Sequence, residues 1–364
     1  MKYLLVLCII NLLSFLFFNY YNLVFNKNIK FNKIYIVLLI LSALFIAYAT
    51  LPSELDDLYR YFDHINMVSA QGIAYLKIYP YKFNFIISFL FLLISLIGNV
   101  HILPVVVISI YIIAVKLLIK KGNFKDNTTL LSLAIIVMFS FEYFNTLISS
   151  VRFPLATAVF ILILINDNKD WKYNFLYVLP ILIHSSYILL IGLVFLVKLV
   201  SKYNKDITKF LVILPYVLVG VSIVFPENVP FFSEIFNKLK IYIDPRFSLQ
   251  YIDYRVLICN IVLFIVMVYS FKIDNTQEKL DTGEFYVEFY KNLKCLLIGF
   301  LPLFSIFSRF ISVFLLLTIP FMTKINITDS RKKKIILSIV IISMGVLCYR
   351  GVNAIHYWNF IYFN

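Results

Sequence analysis

Long apolar runs alternate with short polar gaps along nearly the whole chain. A helix that crosses the hydrocarbon core of a bilayer needs about 20 apolar residues, with a range of roughly 17 to 25. Candidate spans fall at about 3–19, 34–51, 83–100, 102–119, 129–145, 153–166, 174–197, 207–225, 254–271, 293–307, 309–323 and 335–350, and several are short. The pattern predicts an all-α, polytopic integral membrane protein with about 10–12 transmembrane helices, some of them short or re-entrant. A single transmembrane domain over residues 1–364 is expected, without a separate soluble domain. Its main hydrophilic loops are placed at about 52–82, 226–253 and 272–292. The first run lacks a small-x-small cleavage site and reads as a retained helix rather than a signal peptide.

Composition agrees with that pattern. Hydrophobic residues make up 62% of the 364 and charged residues 14%, where a soluble domain is nearer half apolar and about a quarter charged. The net charge of +14 does not indicate nucleic acid. The lysines sit in short gaps between apolar runs, as cytoplasmic loops and headgroup contacts require. The four cysteines, Cys8, Cys259, Cys295 and Cys348, lie in or beside apolar runs without metal-ligand spacing. They read as small buried hydrophobes, and no metal site or cofactor is expected.

Charge placement adds a topological conflict. The gaps 116–125, 198–209 and 324–334 are strongly basic, and the gap holding Lys169 and Lys172 is basic too. Basic loops stay cytoplasmic. With cytoplasmic loops on both sides, the run 174–197 cannot cross once. It must cross twice as short helices, or dip in and return, with the break near His184-Ser185-Ser186.

A few polar side chains at or near membrane depth need a reason. Asp57, Tyr61 and His64 share one helical face at i, i+4 and i+7 in "SELDDLYRYFDHINMV". Arg152 opens an apolar helix with Pro154 in its first turn, where proline is tolerated; the plain alternative is a snorkelling arginine at an interface. His184, with Ser185 and Ser186, interrupts an apolar run; the plain alternative is a hydrogen bond between helices. Arg309 stands in a long apolar stretch and is expected to mark a short loop between two helices, or to face a buried anion. Arg246 and Arg255, with Tyr242, Tyr251 and Tyr254, form a loop suited to saccharide or phosphate, or an amphipathic interfacial loop.

This constellation resembles the EpsG-like, Wzy-type family of bacterial polysaccharide polymerases. The likeness rests on Asp57 and Tyr61, then Arg152, Leu155 and Ala156, then His184 and Ser186, and finally Arg309. The chain departs from the family pattern with Phe153 after the middle arginine, Leu55 two residues before the aspartate, and Tyr187 after the His-x-Ser. The resemblance implies an enzyme of the cytoplasmic (inner) membrane that joins oligosaccharide repeat units, carried on undecaprenyl pyrophosphate, at the outer face. The product is an O-antigen, capsule or exopolysaccharide. It implies Asp57, Arg152, His184 and Arg309 as catalytic residues and Tyr61 and Ser186 as substrate-binding residues; Arg246, Arg255 and Tyr242 of the Arg/Tyr loop are expected to bind substrate beside them. The expected partners are the lipid-linked oligosaccharide, the bilayer and a chain-length regulator protein, with no nucleic acid.

The residues leave the general base open between Asp57 and His184. Other functions compatible with intramembrane arginines are a flippase for the lipid-linked repeat, or another membrane glycosyl- or acyltransferase. No inverted repeat or paired broken helices favour the transporter, and the intramembrane arginines count against a merely structural membrane protein.

Overall fold

The computed structural model describes residues 33–52, 54, 56–78, 84–122, 147–167, 172–203, 206–224, 254–270, 284–324, and 339, 342–343, 345–347 and 359–360. Expected spans at 3–19 and 129–145, and most of 335–350, lie outside these residues, as do Tyr242 and Arg246. What is described is helical: α1 Lys33–Ala49, α2 Asp57–Gln71, α3 Ile73–Ile78, α4 Phe85–Ile97, α5 Ile102–Lys121, α6 Arg152–Leu164, α7 Lys172–Leu176, α8 Val178–Ile183, α9 Ile188–Lys202, α10 Thr208–Val224, α11 Tyr254–Ser270, α12 Glu284–Phe300 and α13 Phe304–Leu317. A two-residue antiparallel pairing, Thr50–Leu51 with Asn359–Phe360, ties the end of α1 to the C-terminal region.

Two helical stretches are long and apolar enough to cross a membrane, Ile102–Lys121 and Ser185–Lys202; seven shorter apolar ones accompany them among the described residues. The loop expected at 52–82 is largely helical. Its amphipathic α2 buries Leu58, Tyr61, Phe62, Ile65 and Val68 and packs on α4. Gly72 ends it at a φ of 63°, a conformation a side chain disfavours.

The late helices correct two expectations. The loop placed at 272–292 runs into α12, which starts at Glu284 and buries Phe285, Tyr286, Phe289 and Tyr290. Those residues recur at helical spacing, so a window that averages hydropathy misses a stripe interrupted by charge. Arg309 marks no loop: it lies within α13, exposed. The break falls instead at Leu301-Pro302-Leu303, because Pro302 has no N–H and its ring clashes with the carbonyl four residues back.

Between them, α6 and the segment 172–202 build the centre of the molecule. Pro180 cannot donate to the carbonyl of Leu176, so α7 and α8 are separate helices with a turn at Tyr177. At His184 the backbone turns extended (φ −147°, ψ 112°), and Ser185–Tyr187 forms one 3-10 turn before α9. Histidine and serine hydrogen-bond locally in place of helix continuation.

The chain then reverses. Lys198 Nζ lies 2.8 Å from Asn174 Oδ1, whereas an uninterrupted helix would separate these residues by about 36 Å. The segment is a hairpin with His184 at its tip, and the basic gaps on either side share one end. The arm Ser185–Lys202 is one of the two stretches long and apolar enough to cross a membrane, and the arm before His184 is shorter.

The hairpin lies along α6. Thr157 and Tyr187 join their hydroxyls. Phe160 packs on Tyr177, Tyr187 and Phe289 with ring centroids 5.9, 5.8 and 5.6 Å away. All four rings are fully buried, and tilted aromatic pairs of this kind add about 0.5–1.5 kcal/mol each beyond contact area. Among apolar helices in lipid, such packing rather than water exclusion holds the elements together.

Candidate functional site

Arg152 is the first residue of α6 and its side chain is buried, with 7% of the residue exposed. That burial decides against the snorkelling alternative, because a snorkelling arginine holds its guanidinium in water. Pro154 sits in the first turn, where its missing N–H costs no helical bond, so the helix starts sharply and holds Arg152 at its N-terminal end. That end also carries the positive pole of the helix dipole.

Phe153, the next residue, is the hub of the tip. Its ring meets the His184 imidazole edge-on at 5.6 Å, Tyr187 at 5.5 Å and Phe310 at 6.4 Å. Phe310 follows Arg309 directly. Of the residues expected to act together, His184 meets the ring of Phe153, which follows Arg152, and the ring of Phe310, which follows Arg309, meets it from α13. Arg152 is buried and Arg309 exposed.

The hydrogen bonds of His184 specify its proton. The Ser186 backbone N–H donates to Nδ1 at 3.3 Å, and Ser186 Oγ lies 2.7 Å from the same nitrogen. A backbone N–H can only donate, so Nδ1 is an acceptor and the Ser186 hydroxyl donates to it as well. The neutral ring therefore carries its hydrogen on Nε2. Ser186 is a residue that orients the histidine.

Asp57 and Tyr61 occupy a neighbouring station. Asp57 is the first residue of α2 and accepts from Arg60. Tyr61 is buried with its ring 5.7 Å from Phe91 of α4, and α4 packs on α8, which ends at His184. On the third member of that face, His64 Nδ1 and the Tyr75 hydroxyl lie 2.6 Å apart; burial lowers the His64 pKa, with Asp63 opposing and Arg60 adding to the shift. Arg255 is not brought to the tip contacts. It is exposed at the start of α11 with its guanidinium 5.7 Å from the Tyr254 ring. Among the described residues no three His, Cys, Asp or Glu side chains group as metal ligands.

The foot of the hairpin holds chemistry that motif reasoning missed. Asp167, Asn174, Tyr177 and Lys198 form a buried polar cluster about 20 Å from the tip along α6 and α9. Asp167 lies in the polar gap after α6, and Asn174, Tyr177 and Lys198 are scattered through the next apolar run. Only the reversal at His184 brings them together, and the shared basic flanks were the available hint.

A model of the EpsG family matches residues 56–362, which include both ends of the hairpin and the α2 station. No curated protein and no solved structure matches the chain.

Proposed function

The chain belongs to the EpsG family, and from that premise we propose that it is a membrane polysaccharide polymerase. It joins oligosaccharide repeat units carried on undecaprenyl pyrophosphate into a surface polymer at the outer face of the cytoplasmic membrane. The observation that carries this reading is the buried Arg152 at the start of α6, next in the chain to Phe153, whose ring meets His184.

In this reaction the growing chain leaves its lipid diphosphate and its anomeric carbon bonds to a hydroxyl of the incoming unit. The C–O bond to diphosphate breaks, that oxygen keeps the electron pair, and the acceptor hydroxyl loses its proton. Negative charge builds on the leaving diphosphate, so fixed donors aimed there lower the barrier. Arg152, at a helix N-terminus, supplies a planar fork that matches phosphate oxygens. Arg309 meets the same group from the exposed side. His184, with hydrogen on Nε2, donates to a diphosphate or glycosidic oxygen. The base is then the carboxylate of Asp57 on α2, which packs on α4, itself packed on α8. Ser186 holds the imidazole, and the Arg255–Tyr254 pair, with Tyr242 and Arg246, binds saccharide. Tyr61 shapes the α2 wall of the acceptor side.

The test is the polymer ladder of cells whose only copy is a variant. Arg152→Ala, His184→Ala and Arg309→Ala should each insert normally and leave surface lipid carrying a single repeat unit. A normal ladder in all three would sink the site. Loss of even the single unit from the surface would instead favour a flippase.

A further inference from the structure

The ion pair at the foot has no part in the chemistry above. Lys198 Nζ lies 2.7 Å from Asp167 Oδ2, with the two side chains 5% and 0% exposed. The Tyr177 hydroxyl donates to the same carboxylate oxygen at 3.0 Å, and Lys198 donates to Asn174 Oδ1 at 2.8 Å. The ammonium also stands over the rings of Tyr177 and Phe285, 5.5 and 5.3 Å from their centroids. Asp167 Oδ1 is buried without a hydrogen-bond partner among the described residues. As a device for stability alone this is a poor choice, because apolar residues of matching volume commonly do as well as a buried pair. The best-attested use of such pairs is to select one register among several that apolar packing allows.

The placement of this pair suits that use. Asp167 follows α6 by three residues and Lys198 lies in the last two turns of α9. From Arg152 to Asp167 is about 22 Å of helical rise, and from His184 to Lys198 about 20 Å. Two rods of nearly equal length are therefore pinned to each other at one end and carry Arg152 and His184 at the other. Between the pins the contacts are mostly rings and aliphatic side chains, which tolerate sliding. A buried ammonium seated against a fixed carboxylate does not.

We propose that the Asp167–Lys198 pair sets the register of the hairpin against α6, and with it the height of His184 relative to Arg152. Asp167 and Lys198 are positioning residues: they act on the reaction through the tip and touch no substrate. The consequence for polymer length rests on the function proposed above; the register itself does not, so the two are measured separately.

The experiment uses the full chain in membranes, with its four cysteines replaced and nitroxide labels at positions 150 and 185, beside Arg152 and His184. Pulsed dipolar spectroscopy reads the distance, and the polymer ladder reads output. The apolar double variant D167L/K198M should insert and melt as the parent does. Its label distance should broaden or shift by about 5 Å, one helical turn, and long chains should fall about tenfold or more. The charge swap D167K/K198D should restore both readouts. A parental distance distribution in D167L/K198M overturns the proposal. A shifted distance with an unchanged ladder overturns the positioning role and, with it, the assignment of Arg152 and His184. If the apolar variant does not accumulate, the swap decides alone, since a displaced tip there refutes the register claim and a parental one supports it.

Discussion

The two ends of the α6–hairpin unit solve opposite problems with similar residue types. At the foot, a cation, a carboxylate, a tyrosine and an asparagine bind one another, and the ammonium and carboxylate neutralise each other. At the tip, a histidine meets the ring of Phe153, the residue after the buried Arg152, and Phe310, the residue after the exposed Arg309, meets the same ring. A cluster closed on itself holds position. On the proposed function, the tip residues are the ones that meet the lipid diphosphate. Buried charge is costly in both places; at the foot the ammonium is neutralised by the carboxylate of Asp167.

That contrast can be broken at either end. Arg152→Ala should have the largest effect on output, removing long chains by about a hundredfold or more, the scale of losing one strong oxyanion donor. Arg152→Lys should recover only part of the loss, because an ammonium lacks the fork; full recovery would mean that charge alone suffices. At the foot, Lys198→Met leaves a buried carboxylate without its cation, and about 3–5 kcal/mol of stability should go with it. A melting curve in detergent checks this, and Asp167→Leu in the same chain should return much of it.

Finer changes sharpen the comparison. His184→Gln keeps an N–H donor near the Nε2 position, and its ladder should stay within about tenfold of the parent. His184→Ala should lose much more. Equal loss in both variants would point to a base at Nε2 and refute the donor role. Gly299→Ala disturbs packing at neither end. A Cβ at Gly299 would stand 2.5 Å from the Val212 carbonyl and 2.9 Å from Pro215 Cγ, so α10 and α12 must part. A loss of about 1–3 kcal/mol in melting stability is expected, with a polymer pattern unlike that of the tip variants.

The smallest effect is the pH response of α2–α3. Burial lowers the His64 pKa below its ordinary 6.5, so the unfolded segment binds more protons than the folded one between the two values. Stability is full above pH 6.5, falls as pH drops from 6.5 toward the folded value, and is flat below it. Amide protection in 57–78, taken relative to the intrinsic exchange rate at each pH, should fall between pH 7 and 5.5, and His64→Gln should flatten that change.

Much of this was legible from local pattern. Helix starts at Lys33, Phe85, Ile102, Arg152, Thr208 and Tyr254 fall within two residues of the predicted spans, because apolar runs and the charges that bound them are local properties. The turn at His184 was legible through charge on both flanks. The α12 start and the Pro302 break were not, since a striped helix averages to a polar gap and Arg309 drew attention from the proline. Phe153 counted only as a departure from a motif, and nothing near Asp167 in the chain indicated Lys198.

Apolar run length and lysine placement are one-dimensional quantities, and they settled the all-α architecture, the membrane character and the reversal near residue 184. The partner of each buried polar group is a three-dimensional quantity. Only packing could show that α6 and the hairpin run side by side, so that residues 31 apart form an ion pair at one end while His184 meets Phe153, the neighbour of Arg152, at the other.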